Sequence, residues 1–321
     1  MTGPTRLPPL ARAIVDGDRR ALARTISAVE DGDPSVAGVI RALYPRTGKA
    51  PVIGLTGPLG VGKSSLLSVL ISRLRAAGKT VGVVAVDPSS PFSGGSVLGD
   101  RIRLERKAND DGVFFRSMAS RGEAGGVAAS TREVARLLDA AGFDVVFVET
   151  VGSGQVDVAI RGIASTSVVV LVPHLGDEVQ TLKAGLFEIA DVFCVNKADL
   201  PGAELAAKDL AELVSMGESR DGWAPVIVPT STTTPSGIDE LWTAISAHEQ
   251  YLDQSGQRTE RERARLRTEI ADRVRDRVGR EVAERLERDP ALRPLLDRVV
   301  ARTLDPAGAA EELFRTHYAA K

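Results

Sequence analysis

The sequence predicts an α/β fold with a doubly wound, mostly parallel sheet, preceded by a helical segment and followed by a helical arm. Three observations predict it. Short β-rich runs at 51–56, 80–87, 113–117, 144–150, 166–172, 192–196 and 226–229 alternate with helical patterns, as strands joined by crossover helices do. Several runs, such as Val168-Val169-Val170-Leu171-Val172, are apolar throughout, which suits strands buried on both faces. A glycine-rich loop separates the first run from a helical pattern, Ser65 to Leu74, and ligand groups in such sheets lie on loops at the carboxyl ends of strands.

Residues 1–47 form the first segment. Leu10, Ile14, Leu22, Ile26 and Val29 recur at helical spacing, and Asp16-Gly17-Asp18 and Asp31-Gly32-Asp33 punctuate two helices. Asp18 is a candidate N-cap. The segment carries no recognisable chemistry.

The sheet domain spans 48–250. Its first turn reads Gly57-Pro58-Leu59-Gly60-Val61-Gly62-Lys63-Ser64, followed by Ser65. This is the G-x-x-x-x-G-K-[ST] phosphate loop in the strand–loop–helix setting it needs, so the fold is that of a P-loop NTPase. Glycines let backbone N–H groups turn inward, and the helix that follows points its positive end at the phosphates. Lys63 is expected to reach the β- and γ-phosphates, and the Ser64 hydroxyl to ligate Mg²⁺.

Acids end the following strands. Asp87 closes the second run, Asp100 lies in Gly94-Gly95-Ser96-Val97-Leu98-Gly99-Asp100-Arg101, and Glu149 closes the fourth run. Each can hold Mg²⁺, directly or through water, or orient the attacking water. Asp87 can instead cap a turn before Pro88, and Asp100 can instead cap a helix. Glu149, at the end of an apolar run, needs a partner or a metal. No glutamine stands where Ras-like enzymes hold water, Gln155 being only nearby. Slow intrinsic hydrolysis follows.

The sixth run leads into Asn196-Lys197-Ala198-Asp199, the N-K-x-D guanine motif. The Asp199 carboxylate can accept from guanine N1–H and the exocyclic amine together, whereas adenine leaves it unpaired. Lys197 can lie along the base, Asn196 can bridge to the phosphate loop, and Thr230 and Ser231, after the seventh run, are placed to offer backbone contacts to guanine O6. The paired motifs favour GTP over ATP.

Residues 251–321 form the last segment. Leu266, Ile270, Val274, Val278, Val282 and Leu286 fall every four residues along a charged helix that Pro290 ends. So narrow a stripe suits burial against a second copy of the chain more than against its own domain.

The bulk numbers exclude several classes. The 321-residue chain has a net charge of −2, which points to neither nucleic acid nor an acidic membrane surface. A single cysteine, Cys194, excludes an internal disulfide framework and fits a reducing, cytoplasmic setting. It reads as a core residue of the sixth run. His174, His248 and His317 are far apart in sequence, which argues against a metal-insertion GTPase. The guanine motif argues against a transport-associated ATPase or kinase. The N-terminus lacks a signal-peptide pattern, and no stretch is apolar for long enough to span a bilayer.

Taken with their neighbours, these motifs resemble the methylmalonyl-CoA mutase-associated GTPases of the MeaB/ArgK type, in the SIMIBI class. The resemblance rests on GPLGVGKSS (57–65), VAVDPSSPFSGGSVLGDRIRL (84–104), VETVGSGQ (148–155), GDEVQTLKAG (176–185) and EIADVFCVNKAD (188–199). It implies phosphate, Mg²⁺ and switching roles for Lys63, Ser64, Asp87, Asp100 and Glu149. It also implies a partner-sensing switch around Asp177, Gln180 and Lys183, and a C-terminal dimerisation arm. The implied function is a GTP-hydrolysing chaperone of an adenosylcobalamin-dependent acyl-CoA mutase, with methylmalonyl-CoA mutase favoured. No cobalamin site of its own is identified. The chain departs from the family pattern at His174-Leu175 and Glu123-Ala124, where small residues and a leucine are expected.

Overall fold

The computed structural model describes residues 7–88, 110–120, 124–150, 159–173, 185–216 and 221–317. Seven strands form one sheet: β1 (Val52–Thr56), β2 (Val81–Pro88), β3 (Val113–Ser120), β4 (Val145–Thr150), β5 (Thr166–Leu171), β6 (Val192–Val195) and β7 (Val226–Pro229). Their order is β3-β2-β4-β1-β5-β6-β7, and every pair is parallel. Each run read from the sequence is a strand. The chain runs outward from β1 in both directions, so the loop after β1 sits where a doubly wound sheet places its ligand crevice.

Both faces of the sheet are covered, and the strand residues divide between them with period two. Ile53, Leu55, Val145, Phe147, Val168, Val170 and Cys194 belong to one core, with α4 (Lys63–Ala76) and α8 (Ile238–Gln254) laid over it. Val146, Val148, Val169, Leu171, Phe193 and Val195 belong to the other, under α5 (Ala124–Ala140) and α7 (Ala203–Met216). The short helix α6 (Leu186–Ile189) precedes β6. Phe147 and Phe193 are fully buried, and each is worth roughly 1.5–3 kcal/mol of burial.

The N-terminal segment folds as α1 (Pro9–Val15), α2 (Arg19–Glu30) and α3 (Ala37–Leu43). The Asp18 carboxylate accepts from the N–H groups of Arg20 and Ala21, as its N-cap reading requires. Ile14, Leu22, Ile26 and Leu43 join the core beneath α5. Asp139 fixes the junction: its carboxylate accepts from the backbone N–H of Gly48 and, at 2.9 Å, of Ala50.

The molecule divides into two compact units, Met1–Glu262 and Arg263–Lys321. Residues 251–262 therefore fold with the sheet. α9 (Gln257–Arg288) begins in the first unit and runs into the second, which also holds α10 (Arg293–Val300) and α11 (Pro306–His317). No described helix is long and apolar enough to cross a membrane.

Candidate functional site

The phosphate loop is pressed against the sheet. Gly57 has φ +138°, and a Cβ there would lie 2.2 Å from the Val170 carbonyl oxygen on β5. Only glycine meets both demands. Gly62, the residue before α4, has φ +93°, and a Cβ there would lie 2.6 Å from Asn196 Nδ2. The absence of that atom lets the base motif close on the loop.

Two residues of the guanine motif join it to the phosphate loop, and Thr230 holds the first of them. The Asn196 amide donates to the Val61 carbonyl at 2.8 Å, and Lys197 Nζ donates to the Gly60 carbonyl at 3.0 Å. Lys197 adopts φ +58°, an uncommon backbone for a non-glycine residue. The Thr230 hydroxyl donates to Asn196 Oδ1 at 3.2 Å and lies 3.0 Å from the Cys194 sulfur. Burial pushes the Cys194 thiol up to about 12 against the opposing hydrogen bond of Thr230, so it stays protonated. Cys194 is a core residue of β6 and helps pin the base motif from below.

Asp199 is held by the next turn. The Ser231 hydroxyl donates to Asp199 Oδ1 at 2.5 Å, and Ser231 Oγ accepts from the Thr234 backbone N–H at 3.2 Å. Thr230 and Ser231 are fully buried. The sequence reading assigns these two only backbone contacts to a base. Their side chains aim Asn196 and Asp199, and the signal in the sequence is a pair of hydroxyls directly after an apolar strand.

On the phosphate side, Lys63 is buried, and its Nζ donates to the carbonyls of Gly57 (2.6 Å) and Pro58 (2.8 Å). The ammonium therefore sits over the loop it serves. Glu149 is 6% exposed, and its Oε1 accepts from the Ser64 hydroxyl at 2.5 Å. The register brings them together: β4 lies beside β1 with Leu55 opposite Glu149. One residue further along the strands the Thr150 hydroxyl donates to Thr56 Oγ1 at 2.9 Å, tying the two strand ends. The serine proton goes to the carboxylate, so the serine lone pairs remain for another ligand. A buried carboxylate and hydroxyl at a helix N-terminus are oxygen donors of the sort Mg²⁺ takes.

The backbone of Asp87 lies at the carboxyl end of β2, one residue past the pairing of Val86 with Thr150; its side chain lies outside the described residues. Asp100, Asp177, Gln180 and Lys183 also lie outside them, as do Gln155, His174 and Leu175. Among the described residues, no group of three or more His, Cys, Asp or Glu side chains is gathered to hold a metal ion.

Residues 22–287 match the family model described as methylmalonyl Co-A mutase-associated GTPase MeaB. The chain is 46% identical to a Pyrococcus abyssi protein, over 93% of each chain. It is 35% identical to the GTPase ArgK of Escherichia coli over 76% of each, and 30% identical to the mouse methylmalonic aciduria type A homolog, over 95% of this chain and 78% of that one. Among solved structures, the LAO/AO transport system kinase superposes with a TM-score of 0.71 at 26% identity, covering 98% of this chain and 99% of that one.

Proposed function

The chain belongs to the methylmalonyl Co-A mutase-associated GTPase family, and on that premise we propose that it is the GTP-hydrolysing chaperone of an adenosylcobalamin-dependent acyl-CoA mutase, methylmalonyl-CoA mutase being the favoured partner. In this reading it gates cofactor loading and protects or rescues the mutase, with nucleotide state as the signal. The observation that supports it within the molecule is the direct seating of the guanine motif on the phosphate loop, through Asn196 to Val61 and Lys197 to Gly60. Base recognition and phosphate chemistry are thereby one rigid site.

The residues take these roles. Backbone N–H groups of Gly57 to Ser65 and the start of α4 bind the phosphates. Lys63 leaves the loop carbonyls for the β- and γ-phosphate oxygens and stabilises charge as it develops. Asp199, aimed by Ser231, reads the guanine edge. Ser64, Asp87, Asp100 and Glu149 would hold Mg²⁺, which would supply the positive charge that offsets that of the phosphates. Glu149 sets the orientation of the Ser64 hydroxyl. Intrinsic turnover is slow, and the partner completes the site through the segment around Asp177, Gln180 and Lys183. The protein acts as a homodimer in the cytoplasm, joined through the arm beyond residue 250.

Steady-state GTP hydrolysis with and without the host's own mutase tests the proposal. The mutase should raise the rate. Asp177→Ala or Lys183→Ala should remove the stimulation and leave basal turnover largely intact. Unchanged turnover, with no nucleotide-dependent complex on gel filtration, would reduce the protein to a GTPase without this partner.

A further inference from the structure

At the end of the sheet opposite the nucleotide loop lies a buried polar cluster that the proposed function does not use. Thr166 and Ser167 begin β5, Asp191 immediately precedes β6, His248 and Glu249 lie on α8, and Arg258 and Arg261 lie in the first turns of α9. All belong to the first compact unit. His248 and Thr166 are fully buried, and Asp191 is 7% exposed.

The hydrogen bonds fix the proton positions. Thr166 Oγ1 lies 2.6 Å from Glu249 Oε1 and 2.7 Å from His248 Nδ1. The carboxylate can only accept, so the single hydroxyl proton goes to Glu249, and Nδ1–H of the histidine must donate to the threonine. A neutral ring then leaves Nε2 bare. Among the described residues Nε2 has no hydrogen-bond partner, although Asp191 Oδ1 lies 3.2 Å away. That oxygen already accepts from Arg261 Nη1 at 2.9 Å, while Asp191 Oδ2 accepts from the Ser167 backbone N–H at 2.8 Å.

The four charged groups nearest the ring, two carboxylates and two guanidiniums, balance one another while the ring is neutral. Asp191 and Glu249 offset Arg261 and Arg258, the last pair at 2.8 Å. Asp221 and Asp253, further out, pair with the same two arginines. Trp223 closes the remaining side, its ring centroid 4.9 Å from that of His248. Burial holds the His248 pKa below its ordinary value, against the pull of Asp191. A group shifted down in this sense contributes its stability in full above the ordinary imidazole value of 6.5, and loses it as pH falls below that.

We propose that His248 makes the root of α9 acid-sensitive. A proton from solvent taken up on the Nε2 lone pair claims Asp191 Oδ1 from Arg261 and sets a third cation beside Arg258 and Arg261. The first turn of α9 is then released from the base of β5 and β6. This inference does not rest on the identity of the partner. The residues involved lead into α9 and pack at the start of β5 and β6, whose far ends are Leu171 and Val195.

Hydrogen exchange of the full chain, corrected for the intrinsic pH dependence of exchange, reads the release directly. Across a window from about pH 7.5 to 5.5, which brackets the ordinary imidazole value, amides of 257–262 should keep their protection in the upper part and lose it below about 6.5. The loss should approach tenfold per pH unit, the limit for one linked proton. His248→Gln, which cannot titrate, should flatten the dependence. Nitrogen-15 spectra of the parent's histidine rings, with a His174→Gln/His317→Gln variant for assignment, give an independent reading should His248→Gln fail to fold. They should show the Nδ1–H tautomer at the upper pH, and protonation of the ring only at the acid end of the loss of protection. A ring doubly protonated throughout would overturn the proposal, as would equal loss of protection in parent and His248→Gln.

Discussion

At the scale of single residues, the site depends on what aims each polar group. Asp199 can satisfy two donors of guanine and none at the same edge of adenine, and Ser231 holds one of its oxygens. Asp199→Asn should therefore relax the preference for GTP over ATP, by up to roughly 10⁴ where a buried polar site loses its pairing. Ser231→Ala should relax it less, since the carboxylate remains. Competition binding of GTP, GDP and ATP measures both, and equal affinity of the parent for ATP would remove the guanine assignment. Lys63→Ala deletes the cation beside Gly57 and Pro58, and turnover should fall by roughly 10²–10³, the usual cost of one charge-stabilising group. Glu149→Ala should weaken Mg²⁺-dependent hydrolysis more than GDP binding, because it frees the Ser64 proton that the carboxylate now holds. Unaltered hydrolysis in that variant would make Glu149 a structural residue only. These contacts were partly legible in the sequence. The spacing of Lys63 and Ser64, and of Asn196, Lys197 and Asp199, is local and can be read directly. That Glu149 meets Ser64 depends on the register of β4 against β1, which no local pattern records.

At the scale of elements, apolar runs gave the strands because a parallel strand covered on both faces has no polar side to disguise it. Helices that touch solvent were harder to place. α9 shows why: the stripe from Leu266 to Leu286 is visible at helical spacing, yet Ile270 and Val274 are 61% and 56% exposed while Glu269 beside them is buried. Within one chain, hydropathy alone does not say which face of this helix is covered. If the exposed pair is covered by a second copy, Ile270→Glu together with Val274→Glu should turn a dimer into a monomer with GTP affinity unchanged. Light scattering decides it, and a monomeric parent at micromolar concentration would rule the pairing out. The junction at Asp139 makes a separate element-level prediction. Its carboxylate takes backbone N–H groups from Gly48 and Ala50 and is itself largely buried. Asp139→Ala leaves those donors without their acceptor and should destabilise the chain by about 1–3 kcal/mol, readable as a lower denaturant midpoint. No sequence pattern marked this residue, because its partners lie far away in the chain.

At the scale of the whole molecule, the change of composition near residue 250 and the division of the structure at 262 and 263 differ by a stretch that matters. A cut after residue 255 looks harmless in the sequence, since no nucleotide motif lies beyond it. In the structure it removes Arg258 and Arg261, the countercharges of Glu249 and Asp191. Two carboxylates that are mostly buried would then be left without their cations, and breaking such a pair typically costs about 3–5 kcal/mol. Marginal stability of about 5–15 kcal/mol leaves little room for that loss. A cut after Glu262 keeps both arginines and coincides with the end of the first compact unit. The two truncations should therefore behave differently. The chain ending at 262 should bind GTP as the full chain does and unfold near the parent's midpoint. The chain ending at 255 should be markedly less stable, and should lose nucleotide affinity chiefly by unfolding. Restoring Gln257 to Glu262 to the shorter chain should recover most of the difference, and replacing both arginines by Met within the longer one should lose it again. Denaturant titration of the four proteins, each with and without saturating GTP, separates the contributions. Equal stability of the two truncations would mean that the charges at the root of α9 carry no weight in the fold of the GTPase unit.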